Sequence, residues 1–373
     1  MSNSQKFTYF ITGGGTGGHI YPAIAVADVL LTDDTTKDLY YIGNPNNLEY
    51  DIVRQKNIKF LGVNVHGMPR KLNLALVKWT LQLAIACIKC VFYILKYKPD
   101  VIFGTGGYVS APGLIAAKIL NKPYMMHDCD AQPGLVTKSL SRGAKLVSLA
   151  FECAKNCIPN KNCVINGNPI RAKFKTLSKE DARKTMGLEN KLTICVMGGS
   201  QGAMSINNAT VAILKKLSEH NIQVIFQTGK KNFERVIEQL LKIYPEYAND
   251  KNILVKPYFD DMVTVLKASD IAVSRSGSLS LSEIEAAGLA SILVPYPYAA
   301  ADHQRKNARF MVEQGASIYL EDAETTEKTL SELLFSLIDD NVKLKQLQNN
   351  ALALAKYDAA TEIVNELKNI TVL

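Results

Sequence analysis

A histidine set behind a run of glycines is the first sign of chemistry in this chain. His19 follows Gly13-Gly14-Gly15-Thr16-Gly17-Gly18, between an apolar, β-branched and aromatic stretch at 7–11 and an apolar helical pattern at 20–30. A strand that runs through glycines into a helix makes an anion cradle: bare backbone N–H groups approach the ligand and the helix dipole favours negative charge. His19 stands where the helix opens, placed to accept a proton or to hold a phosphate or a backbone carbonyl. A second loop of this kind, Gly198-Gly199-Ser200-Gln201-Gly202-Ala203, follows an apolar run at 193–197. A third, Gly104-Thr105-Gly106-Gly107-Tyr108, follows the run at 101–103. Farther on, Arg275-Ser276-Gly277-Ser278-Leu279-Ser280-Leu281-Ser282-Glu283 offers small residues and hydroxyls at a helix start, suited to a diphosphate. Glu283 would be repelled by phosphate, so it reads as a grip on a ribose diol or as a capping acid.

Two familiar nucleotide sites are disfavoured. Gly13, Gly15 and Gly18 have the G-x-G-x-x-G spacing, but the second strand, 39–43, ends without the acid that a dinucleotide ribose needs. No Gly-Lys-Ser/Thr follows the glycines, which excludes a P-loop.

Strand and helix patterns alternate along all 373 residues, the signature of parallel sheets with helices on both faces. Strands are expected near 8–11, 39–42, 101–103, 124–127, 146–149 and 163–165, then near 192–197, 223–227, 253–255, 271–274, 291–294 and 317–319. Each half opens with a strand, a glycine loop and a helix, so the fold class is α/β with two Rossmann-like domains. The turn-rich Asn166-Gly167-Asn168-Pro169-Ile170-Arg171 reads as the hinge. This gives domains at 1–168 and 169–354, with a C-terminal helical stretch, 355–373, as a possible addition to the first.

Seven cysteines without regular spacing suit a reducing compartment, and Cys87-Ile88-Lys89-Cys90 lies in an apolar helical run, where buried thiols are the better reading than metal or redox use. The first apolar run is a short strand, not a secretory signal. Between Ile52 and Pro99 there is no acid but nine basic residues, a surface for phosphates, anionic lipid or nucleic acid. Within it, 79–95 is almost wholly apolar, while Lys78, Gln82, Lys89 and Lys96 fall on one helical face. Two readings stand: a core helix with one wet polar face, or a surface helix whose apolar side chains dip into a bilayer.

Taken together, Gly14-Gly15-Thr16-Gly17-Gly18-His19, Gly106-Gly107-Tyr108-Val109-Ser110, Gly167-Asn168-Pro169-Ile170-Arg171, the 198–203 loop, Arg275-Ser276-Gly277 with Ser282-Glu283, and Asp302-His303-Gln304 with Asn307-Ala308 resemble, in order, one family of GT-B glycosyltransferases. Its members move N-acetylglucosamine (GlcNAc) from UDP-GlcNAc to lipid I in peptidoglycan synthesis. The resemblance implies two domains facing a cleft, lipid I and the membrane on the first and UDP-GlcNAc on the second. It implies that Arg171, Ser200, Ser278, Leu279 and Ser280 hold the UDP diphosphate, Phe259 and Met262 border uracil, Glu283 binds ribose, and His303 and Gln304 meet the sugar. Gly14, Gly15, Gly106 and Gly107 fall to the acceptor diphosphate, with Asp130 also on the acceptor side, and Thr16, Gly17 and Gly18 also to the donor. His19 leads as the base, with Tyr108 and His127 beside it.

The family usually has His-Glu-Gln-Asn where this chain has His127-Asp128-Cys129-Asp130, an acid replacing an amide at the fourth position. Asp128 and Asp130 form a D-x-D, but no metal or other cofactor is expected. The implied partners are UDP-GlcNAc, lipid I (undecaprenyl-pyrophosphoryl-MurNAc-pentapeptide) and an anionic membrane surface met by the stretch from Arg70 to Lys98, with no nucleic acid. The implied location is peripheral, on the cytoplasmic face of the bacterial inner membrane. The rival readings are a soluble GT-B enzyme with a small acceptor and a UDP-sugar epimerase.

Overall fold

The computed structural model describes residues 5–69, 74–199 and 201–372. The chain forms two compact units, one of residues 1–170 with 358–373 and the other of residues 171–357. Each is built on a wholly parallel sheet.

In the first unit β1 (Phe7–Thr12), β2 (Thr36–Gly43), β3 (Lys59–Gly62), β4 (Val101–Gly104), β5 (Tyr124–Asp128), β6 (Leu146–Leu149) and β7 (Cys163–Ile165) lie in the order β3-β2-β1-β4-β5-β6-β7. Every residue of β1 is buried, as a central strand covered on both faces must be. Its alternation sorts the side chains. Phe7, Tyr9 and Ile11 enter a core with Ile20, Ala27 and Leu30, whereas Phe10 joins Ile42, Ile102 and Leu114 on the other face. β3 is an addition to the strands expected from the sequence. It is a four-residue edge strand, too short to stand out although Ile58, Leu61, Val63 and Val65 in and around it are buried.

The second unit has β8 (Thr193–Met197), β9 (Gln223–Gln227), β10 (Ile253–Lys256), β11 (Ile271–Ser274), β12 (Ala290–Leu293) and β13 (Ser317–Tyr319), in the order β10-β9-β8-β11-β12-β13. Both sheets therefore reverse their direction of winding once, between β1 and β4 and between β8 and β11. Ligands of open α/β sheets bind beyond the carboxyl ends of the strands at such switch points. All four of these strands run into the glycine-bearing loops singled out above.

The C-terminal helix, Ala359–Val372, belongs to the first unit. Ile363, Val364 and Leu367 are buried in the core that Phe7, Ile20 and Ala23 share.

The helix Leu74–Tyr97 buries Ala86, Cys90 and Ile94 against the sheet's second core. Its opposite side differs from the wet polar face that periodicity allowed. Leu74, Val77, Leu81, Ile85, Ile88, Phe92 and Leu95, three or four residues apart, all stand exposed. Lys78, Lys89 and Lys96 are exposed among them, so the outward face is an apolar stripe studded with cations. By length and composition this helix could cross a membrane. Trp79 ties it to the preceding loop, its indole N–H donating to the His66 carbonyl at 2.8 Å. Both Cys87 and Cys90 are free thiols, and burial pushes their pKa values up.

Candidate active site

At the switch point of the first unit, the loop after β4 meets the loop after β1 around His19. The imidazole Nδ1 lies 2.9 Å from the Thr105 carbonyl oxygen, which can only accept, so Nδ1 carries the proton. Nε2 is left as the basic nitrogen. In return the Thr105 hydroxyl donates to the His19 carbonyl at 2.6 Å, and Cys129 Sγ lies 3.7 Å from Nδ1. Gly107 has φ +70°, and a Cβ there would fall 2.8 Å from the His19 ring and 2.7 Å from the Gly14 carbonyl oxygen. Only glycine lets this second loop lie so close. Thr16 is exposed at the mouth of the helix Gly17–Leu31, with Gly17, Gly18 and His19 half-buried behind it.

Tyr108 lies at the rim, its hydroxyl accepting from Asn47 Nδ2 at 3.3 Å. His127 is placed differently. It is wholly buried, Nδ1 is 3.0 Å from Ser148 Oγ, and Nε2 is 3.1 Å from Asn168 Oδ1. Burial, only partly opposed by the Asn168 hydrogen bond, pushes its pKa down to about 4. With both nitrogens engaged, this neutral ring fastens the end of β5 to Asn168, whose Nδ2 donates to the Cys129 carbonyl at 3.3 Å. Asp128 is also buried, and its oxygens accept from the N–H groups of Asp130 at 3.2 Å and Gly134 at 3.1 Å. Ligand atoms of Asp128, Cys129 and Asp130 lie within 4.8 Å of one another. The two backbone hydrogen bonds make Asp128 a brace of its own loop.

In the second unit the helix Ser278–Ala287 starts after Gly277, which contributes no side-chain cap. The amides of Ser278, Leu279 and Ser280 therefore have no acceptor within the helix and are suited to an anion. The neighbouring loops are stitched to this one. Ser276 Oγ donates to the Gln304 carbonyl at 2.8 Å, and Asn307 Nδ2 donates to the Ser276 carbonyl at 3.2 Å. Gln304 Oε1 accepts from the Tyr296 N–H at 2.9 Å, which fixes the amide's orientation and leaves Nε2 to donate. His303 opens the helix His303–Glu313 directly after Ala301 and Asp302, two non-glycine residues in the left-handed region, with φ of 51° and 55°. Such backbone is costly for residues with a Cβ and is concentrated at functional sites.

Arg171 and Glu283 meet each other: Nη2 donates to Oε1 at 2.7 Å. Burial pushes the Glu283 pKa up, against the pull of the Arg171 charge. Phe259 is buried, its N–H donating to Gln227 Oε1 at 2.9 Å. Met262 begins the helix Met262–Ala268, which Asp261 caps by accepting from the Thr264 N–H. Lys173 donates to both Asp261 and Thr264. Ser200 lies outside the described residues, as does Arg70 in the basic stretch. Beside it, the Gln201 carbonyl accepts from Asn232 Nδ2 at 3.0 Å.

Sequence reasoning missed Thr105, Asn47 and Asn168 as site residues. Thr105 was visible inside the third glycine loop, but the others act through partners far along the chain.

Residues 9–148 match the glycosyltransferase family 28 N-terminal domain and residues 193–363 the family 28 C-terminal domain. The two doubly wound sheets and their glycine loops are thus those of a GT-B glycosyltransferase. Over 367 residues the chain is 38% identical to the UDP-N-acetylglucosamine--N-acetylmuramyl-(pentapeptide) pyrophosphoryl-undecaprenol N-acetylglucosamine transferase of Thermoanaerobacter sp. (strain X514), covering 97% of this chain and 100% of that one. It matches the crystal structure of Acinetobacter baumannii MurG with a TM-score of 0.77 and 26% identity, over 98% of this chain and 99% of that one. The chain belongs to the MurG family. The UDP-GlcNAc 2-epimerase of Neisseria meningitidis, bound to UDP-GlcNAc, matches over 97% of this chain and 99% of that one with a TM-score of 0.69. At 14% identity it shares the fold alone.

Proposed function

We propose that this chain is an inverting N-acetylglucosaminyltransferase that moves GlcNAc from UDP-GlcNAc to the MurNAc 4-hydroxyl of lipid I, giving lipid II. The observation that carries this reading is its identity, over nearly its whole length, to a transferase named for that donor and a pyrophosphoryl-undecaprenol acceptor. The geometry supports it from both units. His19 offers a basic Nε2, held in that tautomer by the Thr105 carbonyl, to take the acceptor proton. General-base catalysis of this kind typically contributes about 10²–10⁴-fold. The acceptor oxygen attacks the anomeric carbon from the face opposite UDP as the glycosidic bond breaks. Negative charge grows on the leaving diphosphate, where the first-turn amides of the helix Ser278–Ala287 and the Arg171 guanidinium lower its energy. Glu283 takes the ribose, Phe259 and Met262 the uracil, and His303 and Gln304 the sugar hydroxyls. Gly106, Gly107 and the helix start at Gly17–Leu31 take the acceptor diphosphate.

The stripe from Leu74 to Leu95 is the proposed membrane contact. Seven exposed apolar side chains enter the interface, and Lys78, Lys89 and Lys96 reach anionic head groups. The chain then works as a peripheral enzyme on the membrane leaflet that carries its acceptor.

The deciding experiment is transfer of labelled GlcNAc from UDP-GlcNAc to a lipid I analogue, with and without a metal chelator. Labelled lipid II in both is expected, because the Arg171 guanidinium and the first-turn amides are assigned the charge that a metal would otherwise neutralise. Epimerisation of UDP-GlcNAc without transfer would replace this reading with the epimerase one.

A further inference from the structure

The acceptor loop is held from beneath by a carboxylate. Glu49 lies in the first turn of the helix Leu48–Gln55 and is wholly buried. Oε1 accepts from the Asn44 N–H at 3.2 Å and from Asn47 Nδ2 at 3.3 Å, and Oε2 accepts a long contact from the Gly15 N–H at 3.4 Å. The carboxylate packs so tightly under the turn that a Cβ on Gly14 would lie 2.5 Å from Oε1. On its other side the turn meets the Tyr108 ring, 2.6 Å from where a Gly15 Cβ would stand. Asn47 closes the circuit, since the same Nδ2 that reaches Glu49 reaches the Tyr108 hydroxyl. The turn is thus gripped between a buried anion and an aromatic ring, with one amide joining the two.

This arrangement has an electrostatic consequence. The Gly15 N–H points at an internal carboxylate, so it is not offered to a phosphate, and the fixed negative charge disfavours an anion directly over Gly14 and Gly15. Burying a carboxylate is costly unless donors surround it, and here three do. We propose that Glu49 is a positioning residue for the acceptor: through Gly15, and through Asn47 to Tyr108, it sets where the acceptor diphosphate can sit relative to His19. This inference rests on the transfer reaction proposed above.

The test is steady-state kinetics of Glu49→Gln and Asn47→Ala in the full chain, with acceptor and donor varied separately. Glu49→Gln keeps the shape but turns one acceptor oxygen into a donor facing N–H groups. Its KM for the lipid I analogue should rise roughly tenfold, the size expected for one spoiled buried hydrogen bond. Its KM for UDP-GlcNAc should stay unchanged. Asn47 makes no side-chain cap for its helix, so Asn47→Ala breaks only the bridge. It should show the same acceptor-specific shift, smaller in size, and carries the test if Glu49→Gln does not fold. Adding Asn47→Ala to Tyr108→Phe should cost less than it does alone. Unchanged acceptor KM in the folded variants, or equal shifts in donor and acceptor KM, overturns the proposal. A wild-type chain that transfers no GlcNAc overturns the functional reading itself, and that is seen before any variant is made.

Discussion

Replacing His19 by alanine removes the one imidazole of the first switch point whose Nε2 is left basic. Turnover should fall by about 10²–10⁴-fold while the KM for UDP-GlcNAc stays within a factor of a few. Unchanged turnover would remove His19 from proton transfer and leave it as a phosphate ligand. A second residue-scale outcome concerns Glu285, buried on the helix Ser278–Ala287, whose pKa burial pushes up to about 8. The fold holds the protonated form. The stability this confers is fully present below the ordinary carboxylate pKa and is lost as pH rises through about 8. Glu285→Gln copies the protonated form. Melting curves of variant and wild type should coincide near pH 4 and part above it, the variant becoming more stable by on the order of a few kcal/mol at pH 8. A gap that ignores pH would show that Glu285 titrates normally. Residues of this kind explain what was hidden in the sequence. His19 was legible because its glycines are its neighbours in the chain. The reach of Glu49 to Gly15, of Asn168 to His127 and of Arg171 to Glu283 spans tens of residues or more, and no local pattern encodes those contacts.

At the scale of elements, the helix Leu74–Tyr97 shows how periodicity can find a helix yet leave its orientation open. Both of its long faces are apolar, so the spacing of Lys78, Gln82, Lys89 and Lys96 could not say which one the sheet would cover. The small Ala86 and Cys90 with Ile94 take the inner side, and the larger Ile85, Ile88 and Phe92 are left outside. Burying one such side chain is worth about 1.5–3 kcal/mol. Ile88→Glu with Phe92→Glu should therefore reduce co-sedimentation with anionic vesicles by at least roughly a hundredfold. The melting temperature should hardly move, because neither side chain supports the core. Wild-type binding by the double variant would place the membrane contact elsewhere. Reversal of Lys89 and Lys96 to glutamate should instead weaken binding mainly at low salt, where their attraction to head groups is least screened.

For the whole molecule, the alternation of strands and helices made both sheets legible, and each strand expected from it is present. The edge strand β3 escaped because it is only four residues long and ends at Gly62, which breaks the apolar stretch around it. The place of the C-terminal helix was unreadable for another reason: an amphipathic stripe says that a helix packs, not against what. The chain leaves the first unit after Ile170 and returns to it at Asp358. Its last helix then lays Ile363, Val364 and Leu367 on the helix Gly17–Leu31, whose first turn carries His19. Ending the chain at Tyr357 would uncover Ile20, Ala23 and Ala27 and remove three buried aliphatic side chains, each worth about 1.5–3 kcal/mol. Domains are marginally stable, so a loss of that size lies within reach of the first unit's entire margin. Calorimetry of the truncated chain should show one transition moved well down, or absent, and the other nearly where it was. UDP-GlcNAc should still raise the transition that survives, because every donor group assigned to residues 171–357 remains. A truncated chain in which both transitions fall together, or in which the nucleotide sugar protects neither, would contradict this division of stability and binding between the units.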